Sequence, residues 1–263
     1  MPSAGRFIRC FILLACPLFV QAAPALEVVK VGVFSMSPFV NPGPGAPHGV
    51  MVDFFNREIA PRMGVRFQWE RPMTVARLER SLANGSVMFT PMLLKTPARE
   101  KAGIRFAGDV HLSLEPCLAV LPDSPLQHVS SPADLANLTI GWVQAGELPS
   151  FMRDARIRFD RISNIDWASA NLEKLRLGRI DAAYFSNPYT PQFYSAQLDL
   201  PIRLIPVPAP RLALYGAFAP NAPRGMAERY ERAADAAFAN DRFLAYMSRA
   251  VVAQGLMTPP KGN

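Results

Sequence analysis

The 263-residue chain has little cysteine, histidine or charge: three Cys, three His, and 19% Asp, Glu, Lys and Arg. Cys10 and Cys16 fall in an N-terminal segment that export would remove, which leaves Cys117 alone. A lone thiol excludes an internal disulfide framework, so the core must supply the stability. His48, His111 and His128 stand apart without zinc-ligand spacing, and no metal site is expected. No Gly-x-Ser-x-Gly elbow, Walker loop or dinucleotide fingerprint occurs, so no cofactor is expected either. The only long apolar run is N-terminal, which excludes a polytopic membrane protein.

Half of the residues are apolar and 26 are proline. The first figure suffices for a packed core, and the second favours many loops over a helical bundle. The formal charge is +7; without Arg6 and Arg9, 26 Lys and Arg face 21 Asp and Glu, a net +5. The remaining arginines, Arg62, Arg66, Arg71, Arg77, Arg80 and Arg99 among them, are scattered rather than clustered. That predicts a basic but ordinary surface and no nucleic-acid partner.

Residues 1–22 combine Arg6 and Arg9, an apolar stretch of about a dozen residues and a small-residue end, as a secretory signal does. Val20-Gln-Ala22 suits cleavage after Ala22, with Ala23 and Ala25 as nearby alternatives. Leu13-Leu-Ala-Cys16 resembles a bacterial lipobox and would place a lipid on Cys16. The apolar run continues through 17–20, however, where a lipoprotein turns polar, so soluble export to the periplasm is the expectation.

Along the mature chain, residues 28–34 predict a strand and 35–49 a Pro- and Gly-rich loop. Val52, Phe55, Ile59 and Met63 recur at helical spacing before Gly64, with Pro61 straining the last turn. Residues 65–69 and 87–92 predict strands around an amphipathic helix at 74–82, whose face carries Val75, Leu78 and Leu82. This opening β-α-β-α-β pattern implies a parallel sheet with helices on its faces. Strands follow at 117–121, 138–143 and 180–185, with a helix at 167–177 stopped by Gly178. A last strand at 212–219 precedes helices at 225–239 and 241–254. Two α/β units make a two-lobed architecture.

Short motifs run through this pattern in a fixed order. They are Lys30-Val-Gly-Val-Phe34 with Ser37-Pro-Phe39, Gly49-Val-Met-Val-Asp53, Leu82-Ala-Asn-Gly85, Lys95-Thr-Pro-Ala-Arg99 with Phe106, and Ser131-Pro-Ala-Asp-Leu135 with Thr139-Ile-Gly141. Leu175-Arg-Leu-Gly-Arg-Ile-Asp-Ala182 and Tyr215-Gly-Ala-Phe-Ala219 complete the series. In this order they resemble the family 3 extracellular solute-binding proteins, the polar amino-acid receptors of bacterial ABC importers. The resemblance spans essentially the whole mature chain. It implies an α/β periplasmic binding protein fold of type II, with two crossover strands and a ligand cleft between lobes. Lobe one would comprise 26–114 and 206–263, and lobe two 115–205. The implied function is capture of a small polar or carboxylated, amino-acid-like ligand by a monomer that meets an ABC permease or a sensor partner.

The resemblance assigns the cleft residue by residue. Arg99 stands where the family pairs a guanidinium with the ligand carboxylate, a geometry that lysine cannot match. Phe39 would supply an apolar wall, and Thr96 would position the arginine loop. Leu94 replaces a hydroxyl residue that helps hold the carboxylate. Gln144, Gly146 and Glu147 stand at the family's helix start in lobe two, where backbone N–H groups would face the ligand. Glu147 would pair with Arg99 in a closed state, meet a cationic ligand group or cap the helix. Ser186 and Asn187 replace the acid that binds the α-ammonium, and neither carries a negative charge. Met92, Leu94, Trp142, Tyr184, Phe185 and Tyr189 suggest a less polar cleft. Two other readings remain: a repurposed binding domain serving as sensor or accessory protein, and, further behind, a dehydratase-like enzyme with Glu147 as its acid. The expectation is a binding protein, not an enzyme.

Overall fold

A computed structural model describes residues 26–253; residues 1–25, where the export signal with Cys10 and Cys16 is expected, and the chain end after 253 lie outside the described residues. β1 (Glu27–Val31) is the first element of the described residues, ending three residues before the apolar run does, and Phe34 makes only an isolated bridge to Met73. The following helix is compound: α1 (Val50–Phe54), a π-helical turn (Phe55–Ile59) and α2 (Ala60–Met63). Pro61 has no N–H to offer the carbonyl four residues back, and the Ala60 N–H reaches Phe55 instead, five residues back. Val52, Phe55, Ile59 and Met63 are all buried, and Gly64 closes the helix at φ 67°.

β2 (Val65–Trp69) leads to α3 (Val75–Ala83), where the Thr74 hydroxyl accepts from the Arg77 N–H and Val75, Leu78 and Leu82 are buried. β3 (Phe89–Leu94) is a nearly continuous buried run, as a central strand must be. Next come α4 (Pro97–Lys101), β4 (Arg105–Phe106) and β5 (Leu112–Leu114). The first sheet runs β2-β1-β3, all parallel; β11 (Leu212–Phe218) then pairs antiparallel with β3, β4 and β5.

The second sheet is built from β6 (Cys117–Val120), β7 (Thr139–Val143), β8 (Arg158–Ile162), β9 (Ala182–Phe185) and β10 (Arg203–Pro206), in the order β10-β6-β9-β7-β8. α5 (Trp167–Arg176) and α6 (Tyr189–Gln197) belong to this half. β8, α6 and β10 escape sequence reading: β8 is a polar edge strand, Pro191 interrupts α6, and prolines flank or end β10. α7 (Met226–Phe238) and α8 (Arg242–Ala253) return to the first sheet, packing Tyr230 and Phe243 into its core.

Each sheet has its own core. The first centres on stacked rings, with Phe55 against Phe89 and Tyr230. The second centres on Trp142, Tyr184, Trp167 and Phe185. The chain crosses from the first sheet to the second between Leu114 and Cys117, and returns between Pro206 and Leu212. The two crossings lie side by side: Val207 donates to the Pro116 carbonyl, and Arg211 pairs with Glu115.

Candidate ligand cleft

The carboxyl ends of β3, β7 and β9 converge where the two sheets meet, enclosing a cavity of about 60 Å³. Leu94, Leu114 and Leu212 line it from the first half; Trp142, Trp167 and Ser186 line it from the second. A more open recess of about 410 Å³ adjoins it at Leu94 and Leu212, with Lys95 and Arg211 at its edge. Direct bonds hold the halves together beside the cavity. The Trp167 indole N–H donates to the Ser35 carbonyl at 3.0 Å, and the Ser37 and Tyr194 hydroxyls meet at 3.1 Å. Both contacts are buried, where water competes little for the donors.

Arg99 lines the cavity from α4 and is only 5% exposed. Thr96 is the N-cap of that helix, and its hydroxyl accepts from the Arg99 N–H at 3.3 Å. The guanidinium is held from behind by Glu79 on α3. Its Nε and Nη2 both donate to Oε1 of Glu79, at 3.0 and 2.6 Å, and Nη1 donates to the Leu94 carbonyl at 2.6 Å. Arginine has five N–H donors. One N–H on each terminal nitrogen therefore has no protein acceptor among the described residues, the pair that a carboxylate would engage. Glu79 went unnoticed in the sequence; its one signal is the helical spacing from Val75, which also lines the cavity.

The second half departs from expectation. No α-helix begins at 144–147: the segment is a turn, with Ala145 at φ 60°, followed by a 3-10 turn at Ser150–Arg153. Pro149 accounts for this by disfavouring helical geometry at Leu148. Two of the four backbone donors there are engaged, Gln144 with Ile162 and Gly146 with Val143. Gln144 is exposed and does not line the cavity, whereas Gly146 and Glu147 do. Glu147 pairs with Arg153 at 3.1 Å rather than with Arg99.

Ser186 lines the cavity, its hydroxyl 3.9 Å from the Met36 sulfur. Asn187 does not: it is 1% exposed, and its side chain accepts from the Thr190 N–H and donates to the Thr190 hydroxyl. It starts α6, as an asparagine before a helix often does. Phe39 is likewise no cleft wall; it is fully buried between Phe243 and Tyr189. Met92, Leu94 and Trp142 line the cavity, while Tyr184 and Phe185 are core residues. Trp167 and Met36 were missed, because what carries them into the cavity is the docking of the halves.

No family model matches the chain, and no curated protein matches it. Solved structures do. A mutant of ArgBP from T. maritima is 19% identical, covering 86% of this chain and 96% of its own, with a TM-score of 0.69. AbpA, an amino acid ABC transporter substrate-binding protein from Streptococcus pneumoniae bound to L-arginine, is 18% identical over 86% of this chain and 94% of its own, with a TM-score of 0.67. The GluR0 ligand-binding core in complex with L-glutamate is 19% identical over 86% and 99%, with a TM-score of 0.70. The chain thus has the two-lobed periplasmic binding protein fold, with mixed α/β lobes.

Proposed function

We propose that this chain is a periplasmic solute-binding protein that captures a small carboxylated ligand between its lobes and presents it to an ABC importer. Arg99 carries the proposal: it is the one cation in the cavity wall, among the described residues, and it retains a donor on each terminal nitrogen. The lobes, 26–114 with 206–263 and 115–205, would close as two bodies about the paired crossings, a hinge motion that a permease can read. The similar structures bound to arginine, glutamine or glutamate support a small-molecule role. Catalysis finds less support, because Glu147 is tied to Arg153 and has no second acid beside it in the cavity wall among the described residues.

The test is calorimetry on the purified chain with L-arginine, L-glutamate, L-cystine and simple carboxylic acids, beside Arg99→Lys. Lysine keeps the charge and loses the fork, so affinity for a carboxylate should fall about tenfold or more, the worth of a charged hydrogen bond. Unchanged affinity in Arg99→Lys would remove Arg99 from the site.

A further inference from the structure

We infer that the ligand of this cleft is a small monocarboxylate with an apolar body and no ammonium group. This rests on the capture reading above and concerns what the same cavity can complement.

The argument is an accounting of polar groups in the wall. Only Arg99 and Glu147 among the cavity-lining residues have charged side chains. Arg99 keeps two N–H donors that point to no protein acceptor among the described residues, and a carboxylate matches such a pair. Glu147 is the one lining acid that an ammonium could seek, and Arg153 already holds it. Ser186 has an uncharged hydroxyl, and Asn187, beside it in sequence, is turned into the start of α6. An ammonium brought here would leave water without a charged partner, which is costly in a water-poor site.

The rest of the wall asks for hydrocarbon. Met36, Met92, Leu94, Leu212, Trp142 and Trp167 supply it. Both tryptophans present ring surface rather than donors, since their indole N–H groups are spent on the Gly146 and Ser35 carbonyls at 3.0 Å each. The adjoining recess carries Lys95 and Arg211, each paired with an acid, Glu100 and Glu115 respectively, and the chain as a whole is basic. The cavity of about 60 Å³ is continuous at Leu94 and Leu212 with the adjoining recess of about 410 Å³, which gives the apolar body of a small acid room beyond Arg99.

Three probes with one body separate the possibilities: hydrocinnamate, L-phenylalanine and hydrocinnamamide, with isocaproate and L-leucine as an aliphatic pair. Thermal shift, calorimetry and tryptophan fluorescence would be read on the purified chain, beside Arg99→Lys and Leu94→Trp. The expected result is that each acid binds about tenfold or more tightly than its amino acid. Hydrocinnamate should also outbind its amide, lose that advantage in Arg99→Lys, and lose its thermal shift in the cavity-filling Leu94→Trp. L-phenylalanine or L-leucine binding as well as its acid would overturn the inference and leave the capture reading standing. So would binding of L-arginine or L-glutamate without any of the apolar acids, or an amide equal to the acid. A hydrocinnamate shift that survives Leu94→Trp would place the site elsewhere and also overturn it. Should none of these compounds bind to a chain that unfolds cooperatively, the capture reading itself fails and takes the inference with it.

Discussion

Cys117 is 4% exposed in β6, and its thiol donates to the Asn187 carbonyl at 3.5 Å. Burial pushes the thiol up from 9.0 to about 12, because a thiolate there would lose its hydration. The native state therefore holds this proton more tightly than the unfolded chain does. Its contribution to stability is complete below about pH 9 and is lost as the pH rises through about 12. Burial also raises Tyr184 and Tyr230, which adds loss of the same sign at still higher pH. Cys117→Ala should flatten the decline, narrowing the gap to wild type by about 1 kcal/mol between pH 8 and pH 10. Denaturant melts across that range would check it, and parallel pH profiles for the two proteins would refute it. Arg99 makes a different point at the same scale. Its motif marked a cation at the cleft, but only the fold shows that Glu79 shares the guanidinium.

At the scale of elements, local chemistry and placement of the site coincide in α4. Thr96 caps the helix and Pro97 starts it, which fixes where Arg99 leaves the backbone. Thr96→Ala should cost about 1 kcal/mol and lower Tm by about 2–4 °C, whereas Thr96→Ser should retain most of both. Equal melting temperatures for the two variants would show that the cap contributes nothing. The same reasoning made α3 readable: Thr74 starts it, and Asn84 with Gly85 at φ 73° ends it. The segment 144–147 was misread because a motif outweighed Pro149, which local sterics place against a helix there.

For the whole molecule, two buried hydrogen bonds join the halves directly. Tyr194→Phe removes only the hydroxyl that meets Ser37 and leaves the ring packed. If that bond favours the closed form, the variant should scatter with a larger radius of gyration and bind its ligand several-fold more weakly, because less of it is competent to close. Its melting temperature should move little, since each lobe keeps its own core. Identical small-angle scattering and affinity would show that the contact does not bias closure. The Trp167–Ser35 bond also joins the halves and lies nearer the cavity.

The β-α-β-α-β opening of the first lobe, the strands at β6, β7 and β9 with helix α5 in the second, and the stops at Gly64 and Gly178 were legible in the sequence; α4, β8, α6 and β10 were not. Each legible feature depends on spacing, propensity or sterics among residues a few positions apart. The mixed pairing of the sheets was not legible, since β11 reaches β3, β4 and β5 from about a hundred residues away. Nor was the lining of the cleft. Glu79 meets Arg99 across 20 residues, Trp167 meets Ser35 across 132, and Phe39 disappears beneath α8 rather than facing a ligand. No periodicity along the chain encodes such pairings; they are decided by which surfaces pack once each lobe has formed, and by which donors that packing leaves without an acceptor.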